Sequence, residues 1–195
     1  MLKAFHTLGL VEAGCDEVGR GCLAGPVVAA AVILPPEFVH EDIRDSKTLS
    51  LERRNEMDLL IREQAVDFQI AECSPREIDE LNILQASFKA MHRAVSGLKT
   101  RPEHLLVDGN RFAPILGLPH TCVVKGDSLY QSIAAASILA KVHRDRYMQE
   151  LHEMYPDYSW NTNVGYPTVA HRQAILEIGP TEHHRKSFRL LQDSA

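Results

Sequence analysis

Four acidic residues stand where a carboxylate can do chemistry. Asp16 and Glu17 are adjacent and directly precede a Gly19-Arg20-Gly21 turn. Asp108 follows the apolar run 104–107 and precedes Gly109, and Asp127 follows Gly126 after the β-branched run 121–125. Carboxylate oxygens are the hard ligands that Mg²⁺ and Mn²⁺ prefer. Glycine turns let the backbone present N–H groups to phosphate or hydroxyl oxygens at close range. Each acid lies at or just beyond the C-terminal end of a run that reads as a strand, and in a layered α/β domain such ends gather along the edge where ligands bind. Four carboxylates there would repel one another and raise one another's pKa values unless a dication neutralised them, so convergence implies bound metal. Two ions held by such acids suit in-line attack of water on a phosphodiester, one activating the water and the other stabilising the leaving oxygen. Spacing alone leaves a plainer alternative open, because Asp next to Gly is also ordinary turn chemistry.

The elements that must position these acids are legible in the hydrophobic pattern. Residues 8–13 read as a strand leading into Asp16 and Glu17. Neighbours on a regular strand face opposite ways, so one of the two acids is expected to sit past the strand's end or to use its backbone. Residues 27–34 form a continuous apolar run closed by Pro35-Pro36, a buried strand. Ser50 caps a helix over 50–64, residues 66–72 alternate as a strand, and Ser74-Pro75-Arg76-Glu77 is a capping box with Pro at the first helical position. Helix then continues through 83–98. An alanine-rich segment, 131–155, is the longest helix and can approach a sheet closely. Thr168 caps a last helix, 169–178, that ends at Gly179-Pro180. Strands first and helices after predict an α/β domain, a mixed sheet covered on both faces.

Other motifs are weaker. Gly19-Arg20-Gly21-Cys22-Leu23-Ala24 matches G-x-G-x-x-A, but Gly25-Pro26 and a strand follow where a dinucleotide fold needs a helix, and Asp16 and Glu17 would repel the phosphates. Ser137 and Lys141 are four apart, not the three of a Ser-x-x-Lys acyl enzyme. Asp145 reads as an ion-pair partner of the arginines that flank it, and stands in reserve as a fourth carboxylate. Lys47, Lys125 and Lys141 read singly as surface lysines, and Tyr166 as a packed loop aromatic. The segment 182–189, with His183, His184, Arg185 and Lys186, reads as a basic surface tail suited to phosphate.

At 195 residues, 45% apolar and 24% charged, the chain fits one domain. No apolar run spans a bilayer and the N-terminus lacks signal-peptide features, which predicts a cytoplasmic protein. Four cysteines without C-x-x-C or zinc spacing read as reduced, packed thiols. The net charge of −5 is concentrated in the first half, so non-specific DNA affinity is expected to be low and strongly salt-dependent.

The blocks CDEVGRGCLAGPVVAAAVIL, DSKTLS, LLVDGN, VVKGDSLYQSIAAASILAKVHRD, GYPTVAH and HHRKSF, in that order, resemble those of bacterial ribonuclease HII from about Gly9 to about Phe188. The resemblance implies a ribonuclease-H-like fold over 1–195, a mixed sheet flanked by helices with a small C-terminal helical, substrate-contacting segment over 156–195. It implies two Mg²⁺ or Mn²⁺ ions on Asp16, Glu17, Asp108 and Asp127, with positioning of water or metal release as the alternative role for Asp127. It implies cleavage of RNA in RNA·DNA hybrids and nicking of DNA duplexes 5′ to an embedded ribonucleotide, leaving a 3′-hydroxyl and a 5′-phosphate, by a monomer. The Gly19-Arg20-Gly21 backbone would read the ribose 2′-hydroxyl and Tyr166 would stack on the following deoxyribose. Lys47, Lys125, Arg185 and Lys186 would contact phosphates. The family's Lys after G-Y-P-T is Val169 here, which removes a contact beside Tyr166. A non-catalytic nucleic-acid-binding module of the same fold is the alternative, and a clamp or polymerase partner at the C-terminal tail is left open.

Overall fold

The computed structural model describes residues 2–44 and 46–191, and of Lys47 the backbone alone. Asp45 and the predicted phosphate contact of the Lys47 side chain therefore lie outside the described residues. One strand organises the rest. Val27–Ile33 (β2) is a seven-residue run with every side chain at 2% exposure or less. Its even and odd positions enter different cores, as the two-residue period of a strand requires. Val27, Ala29, Ala31 and Ile33 pack with the alanines of helix Ile83–Gly97 (α3), while Val28, Ala30 and Val32 pack against helices Leu51–Gln64 (α1) and Gln131–Met154 (α4). A continuous apolar run is what a strand covered on both faces needs.

The sheet has five strands, with β2 flanked by Glu12–Val18 (β1) and Asp67–Cys73 (β3), both antiparallel to it. Beyond β1 lie His104–Asp108 (β4) and His120–Val123 (β5), both parallel, giving the order β3-β2-β1-β4-β5. The mixed sheet between helical layers is the expected architecture. Helix α4 lies across β1 so closely that a Cβ on Gly14 would fall 2.2 Å from the carbonyl carbon of Ser132.

Three boundaries differ from the pattern, one of them at β5, which ends at Val123 and not at Lys125, whose φ of 56° is left-handed. β1 begins at Glu12, not near Leu8, because the Glu12 carboxylate accepts from the N–H groups of His6 and Thr7 and folds the preceding residues into a loop. Asp16 and Glu17 therefore lie inside the strand rather than past it. The helical stretch after Ser74 is broken at Asn82, whose φ of 69° ends helix Pro75–Leu81 (α2) while its side chain accepts from Leu84 and Gln85 to start α3. Asn is among the few residues that adopt this conformation at low cost. The capping box at Ser74 and the caps at Ser50 and Thr168 form as expected.

After α4, the short helix Trp160–Asn163 (α5) and Val169–Ile178 (α6) close a third, smaller core in which Trp160, Tyr158 and Ile175 pack on Leu23, Ala24, Met148 and Leu151. Among the described residues no helix is long and apolar enough to cross a membrane.

Candidate active site

The parallel register of β1 and β4 brings the acids together. Cys15 lies opposite Val107, so the next residues, Asp16 and Asp108, are neighbours at the strands' C-terminal ends. Cys15 and Val107 enter the core on the α3 side, which turns Asp16 toward α4. There the Ser137 hydroxyl lies near the Asp16 carboxylate and favours its charged form, and the Ser46 hydroxyl lies 3.1 Å from that of Ser137. Ser46 is itself held by Arg54, which donates to the carbonyls of Ser46 and Leu49. The N–H of Gly126 donates to Asp108 Oδ1 at 2.7 Å, which places Asp127 one residue from that contact, 7% exposed, in the turn Gly126–Ser128.

Asp16 is 6% exposed, and burial, then the charges of Glu17 and Asp108, push its pKa well above the usual carboxylate range. Glu17 is raised too, by burial first, with Asp108 adding and the Arg20 guanidinium at 3.1 Å opposing. The two acids do face opposite ways. Glu17 opens onto a cleft of about 350 Å³ that Asp108, Arg20, Ser87, Asn110 and Arg111 also line. Among the described residues no group of three or more His, Cys, Asp or Glu forms a ready-made metal cage. What the strand ends supply is an open, oxygen-only donor set with uncompensated negative charge. That suits Mg²⁺, which keeps several waters and takes its remaining ligands from one or two carboxylates and a substrate phosphate.

Beside the acids, Gly19 has a φ of +91° and lies against Arg144, whose Nε would be 2.3 Å from any Cβ placed there. Tyr166 is 38% exposed, and its hydroxyl lies near the Cys22 thiol of the same glycine loop. The two loops are also joined where Leu23 N–H donates to the Gly165 carbonyl at 2.7 Å. Val169 is 88% exposed on the rim beyond Thr168. Lys125 and Lys186 are exposed.

Three expectations are corrected. Arg185 is fully buried, and its guanidinium donates to backbone carbonyls of Gly19, Arg20, Gly25 and Pro26, so it is not a surface contact for phosphate. His184, 1% exposed, belongs to an aromatic cluster with Tyr158, Trp160 and His171 rather than to a basic surface. Asp145 pairs with Lys141 at 2.7 Å and Arg54 at 3.1 Å, not with its flanking arginines. It stands eight residues, roughly 12 Å of helix, beyond Ser137 and so away from the acid cluster. Arg144 is buried on the carbonyls of Ala24, Pro26 and Val164, and Arg146 pairs with Asp58. Sequence reasoning missed Ser137, Ser46, Arg144 and His171. The only signal for Arg144 was its phase on α4, masked by the charged run around it.

The model of the family described as Ribonuclease HII matches residues 13–191. A ribonuclease HII from Parabacteroides distasonis is 58% identical over 193 residues, covering 99% of this chain and 97% of the relative. Among solved structures, the ribonuclease H2 of Pyrococcus horikoshii superposes with a TM-score of 0.79 at 24% identity, over 92% of this chain and 94% of that one, a likeness of fold. The ribonuclease HII of Archaeoglobus fulgidus, solved in complex with PCNA, gives 0.73 at 30% identity, over 95% and 98%. A match that begins in the strand bearing Asp16 and runs to Leu191, carried at more than half identity through the whole of a bacterial relative, has one reading: the chain belongs to the ribonuclease HII family.

Proposed function

We propose that this chain is a metal-dependent endoribonuclease that hydrolyses RNA in RNA·DNA hybrids and nicks duplex DNA 5′ to an embedded ribonucleotide, leaving a 3′-hydroxyl and a 5′-phosphate. The observation that carries the reading is the cluster of buried Asp16 with half-buried Glu17 and Asp108 at adjacent strand ends, where burial and the neighbouring acids raise the pKa values of Asp16 and Glu17, beside a glycine loop in a left-handed turn. Asp16, Glu17, Asp108 and Asp127 would hold two Mg²⁺ or Mn²⁺ ions. Bound there, such ions supply activation of the attacking water and stabilisation of the leaving 3′-oxygen.

The protein's own groups do the rest. The Gly126 N–H orients Asp108, so this acid does not have to be ordered when substrate arrives, and the nearby Ser137 hydroxyl favours the charged form of Asp16. Arg20 sits on Glu17 and near the incoming phosphate, where its charge can be shared. The Gly19-Arg20-Gly21 backbone reads the 2′-hydroxyl, the group that separates the two sugars. Tyr166, on a loop tied to the glycine loop through Leu23 N–H and the Gly165 carbonyl, presents its ring to the next deoxyribose. Lys125 and Lys186, and Lys47 by resemblance, contact phosphates, and the segment 156–195 serves as the substrate-contacting part of a single catalytic domain.

The test is cleavage of an end-labelled DNA duplex carrying one ribonucleotide, beside an all-DNA control, with Mg²⁺, with Mn²⁺ and with chelator. Metal-dependent cleavage only 5′ to the ribonucleotide is expected. Cleavage of hybrid tracts alone would remove the junction reading, and binding without cleavage under either metal would leave a nucleic-acid-binding module.

A further inference from the structure

Among the described residues two arginines are fully buried, and both donate to carbonyls of the loop 19–26. Arg144 donates through Nε to Pro26, through Nη1 to Val164 and through Nη2 to Ala24, at 3.0, 2.8 and 3.0 Å. Arg185 reaches further along the same loop. Its Nη2 donates to the Gly19 carbonyl at 2.7 Å and its Nη1 to the Arg20 carbonyl at 2.9 Å, while Nε and Nη2 hold Gly25 and Nη2 also approaches Pro26. The backbone delivers Arg185 to this place. Its N–H donates to the Leu23 carbonyl, Gly25 N–H donates to that of His183, and Ala24 and His184 form an antiparallel bridge.

A trans peptide group is planar, with its C=O and its N–H pointing in opposite directions. The Gly19 carbonyl shares its peptide plane with the Arg20 N–H, and the Arg20 carbonyl shares its plane with the Gly21 N–H. Drawing both carbonyls inward onto Arg185 therefore turns both N–H groups away from the interior. The guanidinium also polarises each peptide group it binds, which makes the N–H at the other end a stronger donor. No other cation can do this as well: guanidinium offers five N–H donors in a rigid plane, whereas ammonium offers three around a point.

We propose that Arg185 is the positioning residue for ribose recognition, fixing the Gly19 and Arg20 peptide planes so that the N–H groups of Arg20 and Gly21 face a 2′-hydroxyl oxygen. The proposal rests on the reading of that loop as the 2′-hydroxyl site. It gives the C-terminal segment a role other than phosphate contact, as the inner wall that shapes the loop.

The test is affinity, with Ca²⁺ in place of Mg²⁺ to hold the duplex uncleaved, for a duplex with one ribonucleotide against its all-DNA counterpart. Wild type is expected to prefer the ribonucleotide duplex. Arg185→Lys, which keeps the charge but not the plane, is expected to lose at least tenfold of that preference while its all-DNA affinity stays within about twofold. A folded Arg185→Lys protein with the full preference would overturn the role of Arg185 and leave the loop reading standing. Equal affinity of wild type for both duplexes would instead overturn the loop reading and the role of Arg185 with it. Should Arg185→Lys not fold, hydrogen exchange of the Arg20 and Gly21 amides in wild type decides: protection by the ribonucleotide duplex alone supports the proposal, and equal protection by both duplexes, or by neither, refutes it.

Discussion

Gly14 touches no substrate, yet Gly14→Ala is expected to damage both stability and turnover. The added Cβ would fall 2.2 Å from Ser132 C, 2.4 Å from Ile133 N and 2.5 Å from Ser132 O, all backbone atoms of α4 or its edge. Ordinary contact begins near 3.4 Å, so helix and strand must part by about 3.4 − 2.2 = 1.2 Å. Side-chain rotation cannot relieve this, because the obstacles are main chain. Overpacking typically costs about 1–3 kcal/mol, and relief of unfolded-state entropy on replacing glycine returns about 0.4–1, leaving a net loss of roughly 1 kcal/mol. Ser137 lies five residues further along α4, roughly 7.5 Å, and a rigid helix carries the displacement to it. A 1.2 Å shift carries the Ser137 hydroxyl away from Asp16, whose charged form it favours, and weakens that support. Urea unfolding and kcat on an RNA·DNA hybrid check the two halves of the argument separately. The expected result is a lowered midpoint together with a fall in kcat of about tenfold or more. An alanine variant as stable as wild type would refute the packing argument, and a destabilised variant with normal kcat would refute the link from α4 to Asp16.

Three further outcomes are expected. Asp16→Asn removes a carboxylate that burial and two neighbouring acids disfavour, so in chelator the variant should melt above wild type while its hybrid cleavage falls by several orders of magnitude; equal melting in chelator would mean the acid pays no penalty there. Tyr166→Ala should leave hybrid tracts cut within a few-fold and depress nicking at single ribonucleotides, and equal loss on both substrates would remove its stacking role. His184 is pushed down to about 4 by burial and by His171 and His183, while an unfolded histidine titrates near 6.5. Between those values the unfolded chain binds a proton that the folded chain does not, so stability falls as pH drops from about 6.5 to 4 and this contribution levels off below. At 1.36 kcal/mol per unit the full difference of 2.5 units is on the order of 3 kcal/mol. Urea midpoints of wild type and His184→Asn across that window check it, the variant's slope being the shallower; parallel slopes would refute it.

The buried histidines of the third core show the physics behind the corrections. Thr181 N–H donates to His184 Nδ1 at 2.9 Å, so His184 carries its proton on Nε2, facing His171 Nε2 at 3.2 Å, and His171 Nδ1 then donates to the Tyr166 carbonyl at 2.9 Å. Two histidines that read as part of a basic tail and a loop-end helix thus form one buried chain of neutral rings ending at the Tyr166 loop. The contacts to Thr181 and Tyr166 are local, but the ring-to-ring approach of His171 and His184 and their enclosure by Tyr158 and Trp160 are brought in by folding.

Where a signal is local, the chain declares itself. The both-faced burial of β2, the caps at Ser50, Ser74 and Thr168 and the alanine-rich approach of α4 depend on neighbours a few residues away, and all could be read from the pattern. The nomination of Asp16, Glu17, Asp108 and Asp127 came from their positions at strand ends, which is also local. Tertiary structure alone decided which face each acid takes, that both members of the first pair lie inside β1, and that Ser137 rather than Lys141 serves Asp16. It alone decided the fate of Arg185, whose carbonyl partners lie as far as 166 residues away in the chain. The reason is solvation: a guanidinium in water and one enclosed by five carbonyl contacts have the same sequence, and only the fold determines which solvent it meets.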